Sequence, residues 1–242
     1  MLSAVQIKMS VDETVDYAKS FSHEKVLAQA KLFREDLQNG SWREIQKVQN
    51  KATFWIKIFP DEEVPTKVLM TFHLSLSAQQ FIEVYNPKNI KFRRMWDTAF
   101  ADNEVLEEYP DSGGYITYNR VEMPWPLADR DFVLFTTAAI EIEWYDKQAY
   151  LVPFTNAAHK SKPMNEGPYV RATNGGQFLI VTEDENDPNH ACSLFILTHN
   201  LYNGYIPAKV VEWMVARAVP RAFTKFFDDL VDGHRQFFAD KE

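Results

Sequence analysis

Between residues 101 and 201 the chain passes through six apolar, strand-like segments with no helical period between them. They fall at about 101–109, 114–123, 130–144, 148–156, 168–182 and 191–201. Turn chemistry separates them: Asp111-Ser112-Gly113-Gly114, the Pro124–Asp129 stretch, Asp146-Lys147 and the acidic run from Glu183 to Pro188. Parallel strands need long crossovers, usually helical. None occurs here, so the segments are predicted to form one antiparallel sheet built of meanders.

The flanking regions complete the pattern. Val26, Ala30, Phe33 and Leu37 recur at helical spacing, and Asn39-Gly40 stops that helix. The period then switches to two. Phe54, Ile56 and Ile58 alternate with Trp55 and Lys57, and Val68, Met70, Phe72 and Leu74 alternate with Leu69, Thr71 and His73. A short helix is predicted from Ser77 to Tyr85, ended by Asn86-Pro87.

The chain closes with one long helix, about Pro207 to Phe238, whose apolar stripe runs from Val210 to Leu230. That stripe is broad enough to need burial along most of its length. Pro220 lies inside it and is expected to kink it, because proline removes a backbone donor and crowds the preceding turn. This order of elements implies an α+β fold in which a curved antiparallel sheet wraps the terminal helix. Residues 1–22 carry little pattern and are expected to form an arm, leaving 23–242 as one domain.

Composition excludes several classes. Aromatic residues make up 14% of the 242, which argues against disorder and supplies rings for a core or a cavity wall. No apolar run approaches the roughly 20 residues of a membrane span, and the N-terminus lacks the apolar region of a secretion signal. A single cysteine, Cys192, makes no internal disulfide, so a reducing, cytoplasmic setting is expected. The net charge of −8 argues against nucleic acid as a partner.

Catalytic signatures are missing. The sequence has no G-x-S-x-G, no G-x-G-x-x-G and no phosphate-cradling glycine loop. The six histidines show no metal-ligand spacing, so neither metal nor cofactor is expected. His73, His199 and Glu122 are the acid–base groups that an enzymatic reading would need.

Charged groups in apolar company are more informative. Arg93 precedes Asp97 by four residues, which fits either a surface ion pair or a positioned guanidinium held by its carboxylate. A planar guanidinium suits a pair of phosphate oxygens. Asp129-Arg130-Asp131 reads as a structural ion pair at a strand start. The Pro124-Trp125-Pro126-Leu127 tip either folds back on the core or dips into a membrane interface. On the last helix Lys209, Arg217, Arg221 and Lys225 recur at multiples of four, with Trp213 in the missing step. They form either a solvated face or a basic strip for lipid headgroups.

Taken in order, these marks resemble the START domain lipid-transfer family. The resemblance runs from about Val26 to the end. It rests on Trp42, the Arg93–Asp97 run, the Pro124–Val133 segment, and His159 followed by Pro163 and Tyr169-Val170-Arg171-Ala172. Gly204-Tyr205-Ile206-Pro207 then opens the last helix. It implies a helix-grip fold enclosing a lipid tunnel. Within the family the likeness is to phosphatidylcholine-carrying members, whose headgroup is engaged at the positions of Arg93 and Asp97. Their aromatic cage falls on Asn119, Phe132 and Gly175, so one ring remains and Asn119 is placed to hydrogen-bond a different headgroup such as ethanolamine. The inner-strand arginine of sterol-binding members corresponds to Thr136.

The expected headgroup residues are therefore Arg93, Asp97, Asn119 and Phe132, and the expected tunnel lining is Tyr118, Thr136, Phe195, Met214 and Phe223. Trp125, Leu127, Trp213, Lys209, Arg217 and Arg221 are expected to form a gate at the membrane. The implied function is that of a monomeric, non-enzymatic carrier of one phosphatidylcholine-like glycerophospholipid, touching membranes transiently. The alternatives are a lipid sensor, or a carrier of a sterol, ceramide or fatty acid.

Overall fold

A computed structural model describes residues 21–98, 100–123, 125–164 and 167–237. Residues 1–20, nearly all of the expected arm, lie outside the described residues. The first helix, α1 (His23–Gln38), is capped by the Ser22 hydroxyl, which accepts from the Lys25 amide, and it buries Ala30 and Phe33. Strands β1 (Arg43–Val48), β2 (Ala52–Ile58) and β3 (Thr66–Leu74) follow. Helix α2 (Ala78–Tyr85) starts with reciprocal bonds: the Gln80 amide donates to the Ser77 hydroxyl, and the Ser77 amide donates to the Gln80 side chain. A 3-10 turn at Pro87–Asn89 leads into α3 (Ile90–Trp96).

Next come β4 (Phe100–Tyr109), β5 (Gly114–Val121), β6 (Arg130–Thr137), β7 (Ile140–Trp144) and β8 (Lys147–Asn156). The short β9 (Val170–Arg171) and β10 (Thr173–Asn174) precede β11 (Gln177–Glu183), β12 (Cys192–Thr198) and β13 (Asn200–Leu201). The main sheet runs β1-β2-β3-β12-β11-β8-β6-β5-β4, with every neighbouring pair along it antiparallel. β7 is attached to β8, and β9 pairs in parallel with β6.

Register fixes which side chains face inward. Phe54 opposes Met70, Met70 opposes Ile196, Ile196 opposes Leu179, and Leu179 opposes Val152. Phe154, two residues beyond Val152 and so on the same face, opposes Thr136. These residues form the concave side, where Phe226, Phe227, Leu230 and Val231 of the terminal helix pack. Gly233 on that helix lets the Trp96 indole lie against its backbone, a space that any Cβ would invade. The opposite face carries a separate layer in which Ala30 and Phe33 of α1 meet Trp42, Trp144, Phe178 and Phe195.

The terminal helix departs from a simple proline kink. It runs as α4 (Ala208–Trp213), one π turn (Met214–Ala218) and α5 (Val219–Phe237). The Val219 amide donates to the Met214 carbonyl, five residues back. This wider turn lies immediately before Pro220. It loosens the hydrogen-bond ladder where proline offers no donor.

Two other expectations are corrected. The segment predicted at 130–144 breaks into β6 and β7 between Thr137 and Ile140. Asp129-Arg130-Asp131 makes no ion pair within itself. Asp129 pairs with Arg120 at 2.7 Å, and Asp131 takes a two-pronged contact from Arg171 at 2.9 and 3.0 Å. Arg130 donates to three backbone carbonyls, those of Ala128, Tyr202 and Asn203. A fully buried guanidinium has several donors to satisfy, and three converging carbonyls do so better than one carboxylate.

Candidate functional site

Helix α3 brings Arg93 and Asp97 one turn apart on the same face. Arg93 Nε donates to Asp97 Oδ2 at 2.6 Å. The Asp97 side chain is fully buried and that of Arg93 is largely so, which settles the choice between a surface pair and an inward one. The guanidinium lies over the Tyr85 ring at 5.6 Å and the Phe226 ring at 5.0 Å. A charge on two rings is partly stabilised by their quadrupoles. Burial raises the Tyr85 hydroxyl above its ordinary pKa, with Arg93 opposing and Asp97 adding to the rise. The result is a charged group at the edge of an apolar interior, paired with the Asp97 carboxylate and lying over rings.

The concave wall beside it is partly polar. Asn119 opposes Phe132 across β5 and β6, and Asn103 opposes Asn119 across β4 and β5. All three are buried, so they share the inner face with Thr136. Thr136 Oγ1 donates to the Pro153 carbonyl at 2.8 Å. Sequence reasoning missed Asn103, because Asp102-Asn103-Glu104 reads as a solvated stretch and only the register places its middle residue inside.

Tyr118 and Phe195 do not line the interior. Side chains alternate along a strand, so Tyr118 and Asn119 cannot both face inward. Tyr118 opposes Val133 and packs with Ile116, Phe135 and Ala157 on the outer face, where Lys162 Nζ sits 4.0 Å from its ring centre. Phe195 falls between the inward Leu194 and Ile196. It meets Trp144, Phe178 and the Arg34 guanidinium on the α1 side.

A cavity of about 410 Å³ opens where the terminal helix meets the end of the sheet. Val68, Thr198, Leu201, Val211, Met214, Val215 and Val219 are among its lining residues. Phe223 sits farther along the helix, half-buried against the inner core, between this cavity and the rings beneath Arg93. Gly175 explains a missing ring. A Cβ there would lie within 2.9 Å of three atoms of the His199 imidazole, so the histidine takes the space. His199 is buried and its Nε2 meets the Val64 carbonyl. Burial lowers its pKa, with the Val64 carbonyl opposing the shift.

The three acid–base candidates do not meet. His73 projects from the outer face of β3 toward the Ser193 hydroxyl, His199 is held at Val64, and Glu122 is exposed. Among the described residues no cluster of His, Cys, Asp or Glu has metal-binding geometry.

Around the cavity mouth the surface is apolar and basic. Trp125 is 92% exposed, which rules out folding back onto the core, while Leu127 is half-buried. Tyr205 is 88% exposed and Trp213 is 50% exposed. Lys209, Arg217 and Arg221 are exposed, whereas Lys225 is tied to Asp229 at 2.5 Å. Arg130 bonds Ala128 on one side and Tyr202 and Asn203 on the other, so it fastens the Trp125 loop to the Tyr205 loop. No helix among the described residues is long and apolar enough to cross a membrane.

Comparison with known proteins agrees with this geometry. Phosphatidylcholine transfer protein of Bos taurus is 22% identical over 217 residues, covering 88% of this chain and 94% of that protein. Among solved structures, human STARD10 superposes with a TM-score of 0.68 at 15% identity, covering 88% of this chain and 84% of that one. Human StAR-related lipid transfer protein 5 gives 0.65 at 17% identity, covering 88% and 99%. Both share the helix-wrapped antiparallel sheet. The sequence model of the START domain matches residues 26–232, from α1 into the last turns of α5, and the chain belongs to the START domain family.

Proposed function

We propose that this protein carries one glycerophospholipid between membranes, with the headgroup at Arg93 and Asp97 and the acyl chains along the concave interior. The observation that carries this reading is the inward Arg93–Asp97 pair, a guanidinium among rings inside a START fold. Phosphate oxygens match its planar donors. Acyl chains gain little in passing from a bilayer to an apolar wall, so the headgroup contact selects the lipid. The protein's contribution in transit is shielding, worth about 0.8 kcal/mol per methylene kept from water.

The cavity of about 410 Å³ lies within the ordinary range for small-molecule sites, about 300–1,000 Å³. Two acyl chains need more room, and the π turn before Pro220 is the place where the terminal helix can yield. Trp125, Tyr205 and Trp213 form the surface that meets the bilayer, as amphipathic rings favour its interface. Lys209, Arg217 and Arg221 add about 1 kcal/mol each near an anionic leaflet. Because His73, His199 and Glu122 do not converge, the reading is of a carrier rather than a catalyst.

Incubation with donor and acceptor vesicles tests this. A carrier both retains phospholipid and moves it to the acceptor, whereas a sensor retains it without moving it. Replacing Trp125 by Ser is expected to slow transfer about fivefold while leaving thermal unfolding unchanged, since its ring has almost no contacts to lose on unfolding. A fluorescence-dequenching transfer assay beside a melting curve checks both halves.

A further inference from the structure

We propose that Asn103 selects the headgroup, favouring a phosphate ester whose head also donates a hydrogen bond over one ending in a quaternary ammonium. This rests on the phospholipid reading above. Asn103 is 2% exposed, and neither its Nδ2 nor its Oδ1 has a hydrogen-bond partner among the described residues. Buried polar side chains are nearly always satisfied, so an amide orphaned at both ends points to a group that completes it.

Its strand packs against the helix that carries Arg93 and Asp97. Arg94, next to Arg93, donates to the Asn103 carbonyl from Nε at 2.9 Å and from Nη2 at 2.5 Å, holding β4 against α3. Across the ladder stands Asn119, whose Nδ2 donates to the Thr117 hydroxyl at 3.3 Å.

An amide offers one acceptor oxygen and two N–H donors. To satisfy both ends a ligand must present a donor and an acceptor close together. A phosphoethanolamine head does so, with ammonium N–H groups for Oδ1 and phosphate oxygens for Nδ2. A phosphocholine head has the phosphate but no N–H, and it would leave Oδ1 buried and unpaired. On this wall Asn119 is an amide, His199 fills the space beside Gly175, and the Phe132 ring is engaged edge-on by Tyr202 at 6.3 Å.

The test is a competition. The protein is incubated with vesicles holding equal amounts of phosphatidylethanolamine and phosphatidylcholine with the same acyl chains, and the retained lipids are counted by mass spectrometry. Phosphatidylethanolamine is expected in about tenfold excess, the ratio set by one unmet buried hydrogen bond. Asn103→Leu is expected to bring the ratio near one. The wild-type ratio is decisive whether or not the variant folds. A wild-type ratio at or below one overturns the inference and leaves the phospholipid reading standing, as does an unchanged ratio in a folded Asn103→Leu. Retention of neither lipid overturns both.

Discussion

Replacing Arg93 by Leu is expected to cut retained phospholipid by about tenfold or more and to lower stability by about 3 kcal/mol. The first effect follows from losing the planar donors that the proposed function sets against the phosphate. The second follows from Asp97, whose side chain is wholly buried and pairs with the Arg93 guanidinium. Removing both charges together separates the two. The double variant Arg93→Leu/Asp97→Leu is expected to recover most of the lost stability, because no uncompensated carboxylate remains, and still to retain little phospholipid. Denaturant unfolding alongside lipid extraction measures both. A double variant that regains lipid together with stability would mean that Arg93 acts only as a structural partner.

Arg130→Met is expected to have the largest effect on stability, a loss of about 4 kcal/mol. Hydrogen bonds to a charged group contribute roughly 1.5–3 kcal/mol each, and the buried Arg130 makes three to backbone carbonyls, part of whose loss water makes good at the exposed Ala128. Against a typical total of about 5–15 kcal/mol this leaves the domain barely folded. Arg130→Lys is expected to recover only part of the loss, since one ammonium cannot reach three carbonyls in a fork. Urea unfolding decides it, and a loss under about 1 kcal/mol for Arg130→Met would show that the loops bearing Trp125 and Tyr205 are fastened by something else. Transfer should fall with stability, because the same guanidinium joins the loop bearing Trp125 to the one bearing Tyr205.

The sheet was legible because period-two runs joined by turns admit few arrangements, and the terminal helix because its stripe is long. β1 was not legible. As an edge strand with Arg43, Glu44 and Lys47 exposed, it buries too little to alternate clearly. Helix α3 is under two full turns, too short for a period to show, although the spacing of Arg93 and Asp97 marked one of its faces. The π turn leaves no sequence signature apart from Pro220. Within the site, helical spacing marked Arg93 and Asp97 as a pair and only the family resemblance suggested a headgroup role, while strand parity was needed for the remainder. A segment such as Tyr118-Asn119 presents one residue to each face, and only the pairing with β6 tells which is inside. The same register moves Phe195 out and Asn103 in, and neither shift can be read from composition or hydropathy.

Native mass spectrometry of the protein after exposure to phospholipid vesicles tests the central claim most directly. The account predicts a single phospholipid per chain, released intact on collisional activation, and mostly absent from folded Arg93→Leu/Asp97→Leu. A folded protein that emerges at the mass of the bare chain, or one that holds phospholipid equally well without the pair, would contradict it.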